Sequence, residues 1–171
     1  MRILNRDAVT RSEVITGLAV LGFFFMSYLT WVHFRTTTSS LCDLAPNFSC
    51  DTVNKSVFST VLGIPLAILG QAYFLLVGLL PHIKEVKKPY QAIALLTLLN
   101  APFALSLSAI ELFYLGSVCV FCEFSKVLML GILALSVEET NAHGHRLKLS
   151  QVAGVLAAGT AGAAANFFLT A

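Results

Sequence analysis

The sequence predicts an all-α integral membrane protein: a four-helix transmembrane bundle followed by a fifth, C-terminal transmembrane helix. Three observations predict it. Of 171 residues, only 11 are Lys or Arg and 9 are Asp or Glu, whereas 57% are hydrophobic. Mean hydropathy is +0.81. A soluble domain carries roughly a quarter of its residues as charged side chains. Second, apolar runs of the length that crosses a bilayer, about 20 residues, recur along the chain. Third, Lys and Arg concentrate in alternate connections between those runs, as they do in membrane proteins with a fixed orientation.

The first run, 14–34 (VITGLAVLGFFFMSYLTWVHF), is longer than the apolar core of a secretory signal, and no A-x-A cleavage pattern precedes Ser39, so it reads as a span. The second, 59–80, ends at Pro81. The third, 90–113, has Pro89 at the first helical position, where its missing N–H costs nothing, and Pro102 inside it as an expected kink. The fourth covers about 118–137. The fifth, 152–170, is rich in Ala and Gly, and Gly154, Ala158 and Gly162 repeat at the spacing of small-residue packing faces. The expected organisation is a catalytic bundle over 1–137 with an outer loop at 36–58, a cytoplasmic connection over 138–151, and the fifth helix over 152–171.

Orientation follows from the cations. Arg2, Arg6, Arg11, Lys84, Lys87, Lys88, Arg146 and Lys148 fall on one side, and only Arg35 and Lys55 on the other, a split of eight to two. The N-terminus is therefore expected in the cytoplasm. The 36–58 loop, the connection at 114–117 and the C-terminus are expected on the opposite face, where Tyr28 and Trp31 suit an interfacial aromatic belt. Membrane lipid is the surrounding medium; no nucleic-acid partner is expected.

All four cysteines map to that outer face, the compartment in which disulfides form: Cys42 and Cys50 in the loop, Cys119 and Cys122 at the start of the fourth span. In CDLAPNFSC, Pro46 and Asn47 make a turn-rich, mobile segment that reads as a shuttle. In CVFC the thiols lie one helical turn apart at a helix N-terminus, which favours a thiolate, and the pair reads as a redox centre. The eight-residue separation of the loop pair exceeds that of zinc knuckles, so no metal is expected. Inert structural disulfides remain a second reading, although a CxxC ring is a poor staple.

Cys119, Cys122, Glu123 and Lys126 follow the i, i+3, i+4, i+7 rule and so share one helical face. Intramembrane ionisable groups avoid hydrocarbon and mark functional paths, so that face is expected to line the bundle interior. Cys122 lies about 4.5 Å deeper than Cys119 at about 1.5 Å of rise per residue. The shallow thiol can meet the loop and the deep one a membrane-dissolved acceptor. Haem, flavin and iron–sulfur motifs are missing from the sequence. A quinone fits, because it takes two electrons with two protons, matching one dithiol-to-disulfide step.

The order of motifs, CDLAPNFSCDTVNKSVFSTVLGIPLAILG at 42–70 followed by CVFC at 119–122, resembles the vitamin K epoxide reductase family in its bacterial branch. The resemblance covers roughly 14–137 and carries both motifs in the family's order. It implies a four-helix bundle around a quinone and electron relay from a thioredoxin-like protein. By position it implies that Cys122 faces the quinone, Cys119 resolves it, Cys50 reaches Cys119, and Cys42 meets the partner. Ser56 matches the family's serine after the loop, which orients the loop or bonds the quinone. Glu123 and Lys126 join it as quinone-binding or orienting candidates, and as an i, i+3 pair they also read as an ion pair that neutralises itself near the interface.

Two departures bear on substrate. Lys126 stands four residues beyond the CxxC, where vertebrate members have tyrosine, and the vertebrate asparagine that bonds the quinone carbonyl has no evident counterpart. Both favour a respiratory quinone (menaquinone, ubiquinone or phylloquinone) over vitamin K epoxide. The sequence contains no thioredoxin domain, so a separate thioredoxin-like or DsbA-like partner in a bacterial inner membrane system is expected. Vitamin K quinone or epoxide reduction proper is an alternative. A DsbB-like quinone reductase is another, disfavoured because its CxxC belongs to the first outer loop. A non-enzymatic assembly factor braced by disulfides is the reading outside this chemistry. Glu111 reads as an interfacial carboxylate, with a proton carrier as its second reading, His82, His143 and His145 as solvated residues of the connections, and the sequons at Asn47 and Asn54 as chance.

Overall fold

The computed structural model describes residues 2–36, 41–42, 45 and 47–170; the expected turn role of Pro46 lies outside the described residues. Helix α1 is Arg2–Phe34, α2 is Cys50–Asn54, α3 is Leu66–Leu79, α4 is Pro89–Ile110, α5 is Val120–Ala142 and α6 is Leu149–Thr170. Two short strands, β1 (Thr60–Val61) and β2 (Ile64–Pro65), precede α3. Among the described residues, four segments are long and apolar enough to cross a membrane: Arg11–Phe34, Pro89–Leu115, Val120–Ala142 and Leu149–Leu169. A shorter apolar helical segment, Leu66–His82, accompanies them. The protein is a multi-pass helical membrane protein, with side chains such as Phe24, Leu105 and Leu130 exposed on its outer surface.

The second span begins later than the sequence suggests. Instead of a helix from Ser59, a 3-10 turn (Val57–Ser59) leads into an antiparallel hairpin pairing Thr60 with Pro65 and Val61 with Ile64. Leu62 and Gly63 have φ of 52° and 81°. Positive φ at both central residues is the two-residue hairpin turn whose twist matches its strands, and Pro65 disfavours helix at the residue before it. The helix therefore starts only at Leu66, and its 17 residues to His82 span about 25 Å at 1.5 Å each, short of a hydrocarbon core of about 30 Å.

Helix α1 packs against α3 and α5, and α4 packs against α5 and α6. One core cluster joins Ile15 and Ala19 of α1 to Tyr73, Phe74 and Val77 of α3, Ile93 of α4 and Ile132 of α5. In lipid, helices associate through close packing and interhelical hydrogen bonds. Both occur here: Gly22 leaves room for the Phe74 ring, and Tyr73 Oη and Thr97 Oγ1 share a hydrogen bond of 2.8 Å. Helix α4 continues through Pro102 to Ile110 and then widens into a π turn at Glu111–Leu115, closed by Gly116 at φ 59°. Helix α6 meets α4 through Gly162, which faces the Phe103 ring, and through Gly159, which lies over Leu99 O and Pro102. The expected Gly154 has nothing within 4 Å, so the contact runs through a three-residue step in place of the four-residue repeat.

Candidate functional site

The site forms where the loop meets the start of α5. Ser49 caps α2, its Oγ accepting the Thr52 N–H at 3.2 Å, which fixes Cys50 as the first residue of that short helix. Backbone bonds then tie the loop to the fourth span: Val118 N donates to Asn47 O at 2.9 Å and Ser49 N to Val118 O at 3.2 Å. The segment expected to be mobile is thus anchored at its Cys50 end. Asp51 strengthens the anchor through Arg35 at 3.3 Å and Lys55 at 2.7 Å.

Cys42 and Cys50 form a disulfide with Cα atoms 5.8 Å apart, and Cys119 and Cys122 are free thiols. The anchor brings Cys50 Sγ to 3.2 Å from Cys119 Sγ. Cys119 is the N-cap of α5, and its sulfur accepts the Cys122 N–H at 3.3 Å. Cys42, Cys50 and Cys119 are buried at 2%, 0% and 0% exposure. Cys122 points the other way, into a cavity of about 210 Å³.

That cavity lies between α1, α3, α4, α5 and the hairpin, with walls that include Leu29, Phe74, Phe103 and Met129. Its polar groups are few and include Asn54, Ser56, Tyr73, Glu111, Ser125 and Lys126. An apolar enclosure with a small number of placed polar groups is the usual form of a site for an apolar ligand. Ser56 is on the wall, its Oγ donating to Val53 O at 2.8 Å. Lys126 is on the wall too, with Nζ 2.6 Å from Glu123 Oε1 and 2.6 Å from Ser108 Oγ. Glu123 turns away from the cavity toward the edge of the bundle, so the expected common face divides there.

Two residues that the sequence did not place with the cysteines belong to this site. Glu111, expected at an interface, is buried at 1% exposure: its Oε2 accepts the Cys119 N–H at 2.9 Å and its Oε1 lies 3.4 Å from Lys126 Nζ. Asn54 is buried at the cavity's upper wall, where Nδ2 donates to Leu29 O and its own carbonyl meets His33 Nδ1 at 2.6 Å. A carboxylate inside an apolar run was the available signal for Glu111; for Asn54 it was the i+4 spacing from Cys50. His143 lies against Glu139 and Tyr90, and His82 bonds Thr16 Oγ1 at 2.9 Å, so both are partnered at the opposite end of the bundle.

The bundle brings its cysteines together, a disulfide against the first thiol of a CxxC and the second thiol on the wall of an apolar cavity, an arrangement consistent with a thiol oxidoreductase. The family model for the vitamin K epoxide reductase family matches residues 13–137, and the chain belongs to that family, whose members are oxidoreductases that use quinones. No curated protein matches the chain.

Proposed function

We propose that this protein is a membrane thiol–disulfide oxidoreductase that passes electrons from a separate thioredoxin-like or DsbA-like protein, through its two cysteine pairs, to a membrane quinone, and so supports disulfide formation. The 3.2 Å separation of Cys50 and Cys119, with Cys122 open to the cavity, carries this reading. A reduced partner attacks the Cys42–Cys50 disulfide at Cys42 and leaves as a disulfide, reducing the loop pair. Cys50 thiolate then attacks Cys119 of the Cys119–Cys122 disulfide, and Cys42 attacks Cys50 in turn, so the loop disulfide re-forms and the CxxC holds the two electrons. Cys122 delivers them to the quinone in the cavity as Cys119 closes the disulfide again.

The quinone is a substrate of this reading, and the cavity residues suit it. Its walls accept an isoprenoid tail. Lys126 offers a charged donor to a carbonyl oxygen, with Ser56 and Glu123 orienting, respectively, the loop side of the site and the ammonium. Menaquinone, ubiquinone and phylloquinone all present such a carbonyl. The cation distribution supports a cytoplasmic N-terminus, with all four cysteines on the periplasmic face of a bacterial inner membrane. Following quinone absorbance in purified protein supplied with a reduced thioredoxin-like protein tests the reading. Thiol-dependent loss of quinone supports it, and no change with any of the three quinones contradicts it.

A further inference from the structure

A dithiol that reduces a quinone has to be matched by two protons as well as two electrons, and the electron route leaves several buried ionisable groups unused. Glu111 is the most buried of these at the site, with its side chain 2% exposed within a membrane-spanning segment. Ionisable groups at that depth are costly and mark ion or proton paths. Its two oxygens face two ways: Oε2 holds the Cys119 N–H at 2.9 Å, and Oε1 faces Lys126 Nζ at 3.4 Å. Lys126 reaches onward to Glu123 Oε1 at 2.6 Å, and Ser108 Oγ bridges the pair, 2.6 Å from Lys126 and 2.9 Å from Glu123.

Side-chain exposure rises along this series, from 2% at Glu111 through 15% at Lys126 to 41% at Glu123. Glu111 and Lys126 share the cavity wall with Cys122, whereas Glu123 does not. The series therefore runs from the cavity to the edge of the bundle with no break longer than an ion-pair contact. The inner carboxylate sits at the head of the π turn that ends α4, and such turns recur at functional positions.

We infer that Glu123, Lys126 and Glu111 form a proton path between the bundle surface and the cavity, with Glu111 the inner carrier beside Cys119. The inference rests on the quinone-reducing reading. When the loop thiolates reopen the Cys119–Cys122 disulfide, the CxxC gains two electrons but no protons. When the Cys119–Cys122 bond re-forms, those two electrons pass to the quinone, and two protons join its two oxygens to give the quinol. The path supplies them, and two protons released by the partner's thiols at the loop balance the cycle.

The competing role for these side chains is a clamp between α4 and α5, and two rates in the full-length, detergent-solubilised protein separate the roles. One is quinone reduction driven by a dithiol; the other is formation of the Cys50–Cys119 crosslink in a Cys42→Ser background after a chemical thiol oxidant, in place of quinone, has closed the Cys119–Cys122 disulfide that Cys50 attacks, a step that moves no proton to a quinone. Glu111→Gln keeps an oxygen for the Cys119 N–H but cannot carry a proton. It is expected to lower kcat for quinone reduction about 100-fold, to slow crosslinking far less, and to raise the solvent deuterium isotope effect. Glu123→Gln, at the half-exposed mouth, is expected to slow quinone reduction and to be restored by a small weak acid such as acetate. Wild-type kcat in Glu111→Gln, or equal slowing of both rates, overturns the path. Should Glu111→Gln fail to fold, Glu123→Gln decides: slowing with rescue supports the path, and no slowing, or slowing without rescue, overturns it. A wild-type protein that reduces no quinone overturns the parent reading instead.

Discussion

Cys50 Sγ and Cys119 Sγ lie 3.2 Å apart although 69 residues separate them in the chain. The contact is made by the capped helix α2 and by the backbone bonds joining Asn47 and Ser49 to Val118. It places a loop disulfide within reach of the membrane pair without requiring a large swing of the loop.

Cys42→Ser should trap that contact. With its resolving thiol removed, Cys50 attacks the Cys119–Cys122 disulfide and remains attached to Cys119. Non-reducing electrophoresis with peptide mapping should recover a Cys50–Cys119 crosslink. A crosslink from Cys50 to Cys122 would show that the orientation of the two CxxC thiols had been assigned the wrong way round.

Lys126→Met should weaken quinone use. A hydrogen bond from a charged donor contributes about 1.5 to 3 kcal/mol, so KM is expected to rise by about tenfold or more. Unchanged quinone kinetics in a folded variant would return Lys126 to the role of ion-pair partner for Glu111 and Glu123.

Gly22→Leu should destabilise the bundle, because a Cβ at that position runs into the Phe74 ring, itself 1% exposed. Overpacking of this kind costs about 1 to 3 kcal/mol. Thermal unfolding in detergent checks it against Gly17→Leu, where nothing lies within 4 Å of the added Cβ. Equal melting temperatures for the two variants would contradict the packing described for α1 and α3.

A reporter fused after Lys88 should be active only in its cytoplasmic form, because Lys84, Lys87 and Lys88 sit in one connection. Activity of a periplasmic reporter at that point would invert the orientation.

The long helices were legible because apolar runs of bilayer length leave little alternative. The expected runs at 14–34, 90–113, 118–137 and 152–170 fall within, or almost entirely within, the four long helical segments. The start of the second was misread for a local reason that hydropathy does not register: Leu62, Gly63 and Pro65 are apolar or neutral, yet their backbone geometry makes a hairpin. At the site, the CxxC spacing and the polar residues one turn beyond it stand out in the sequence. The placement of Glu111 and Asn54 beside the thiols does not, because it depends on partners remote in the chain, the Cys119 N–H and the Leu29 carbonyl. The division between Cys122 and Lys126 on the cavity wall and Glu123 at its edge likewise follows from the neighbouring α4, which no helical wheel of α5 contains.

The most direct measurement of the central claim is quinone absorbance in purified wild-type, Cys119→Ser and Cys122→Ser proteins supplied with the same reduced thioredoxin-like protein. The account predicts thiol-dependent quinone loss in the wild type and none above background in either variant, with quinone still bound by Cys119→Ser. Equal quinone loss in all three proteins, or none in the wild type, would contradict it.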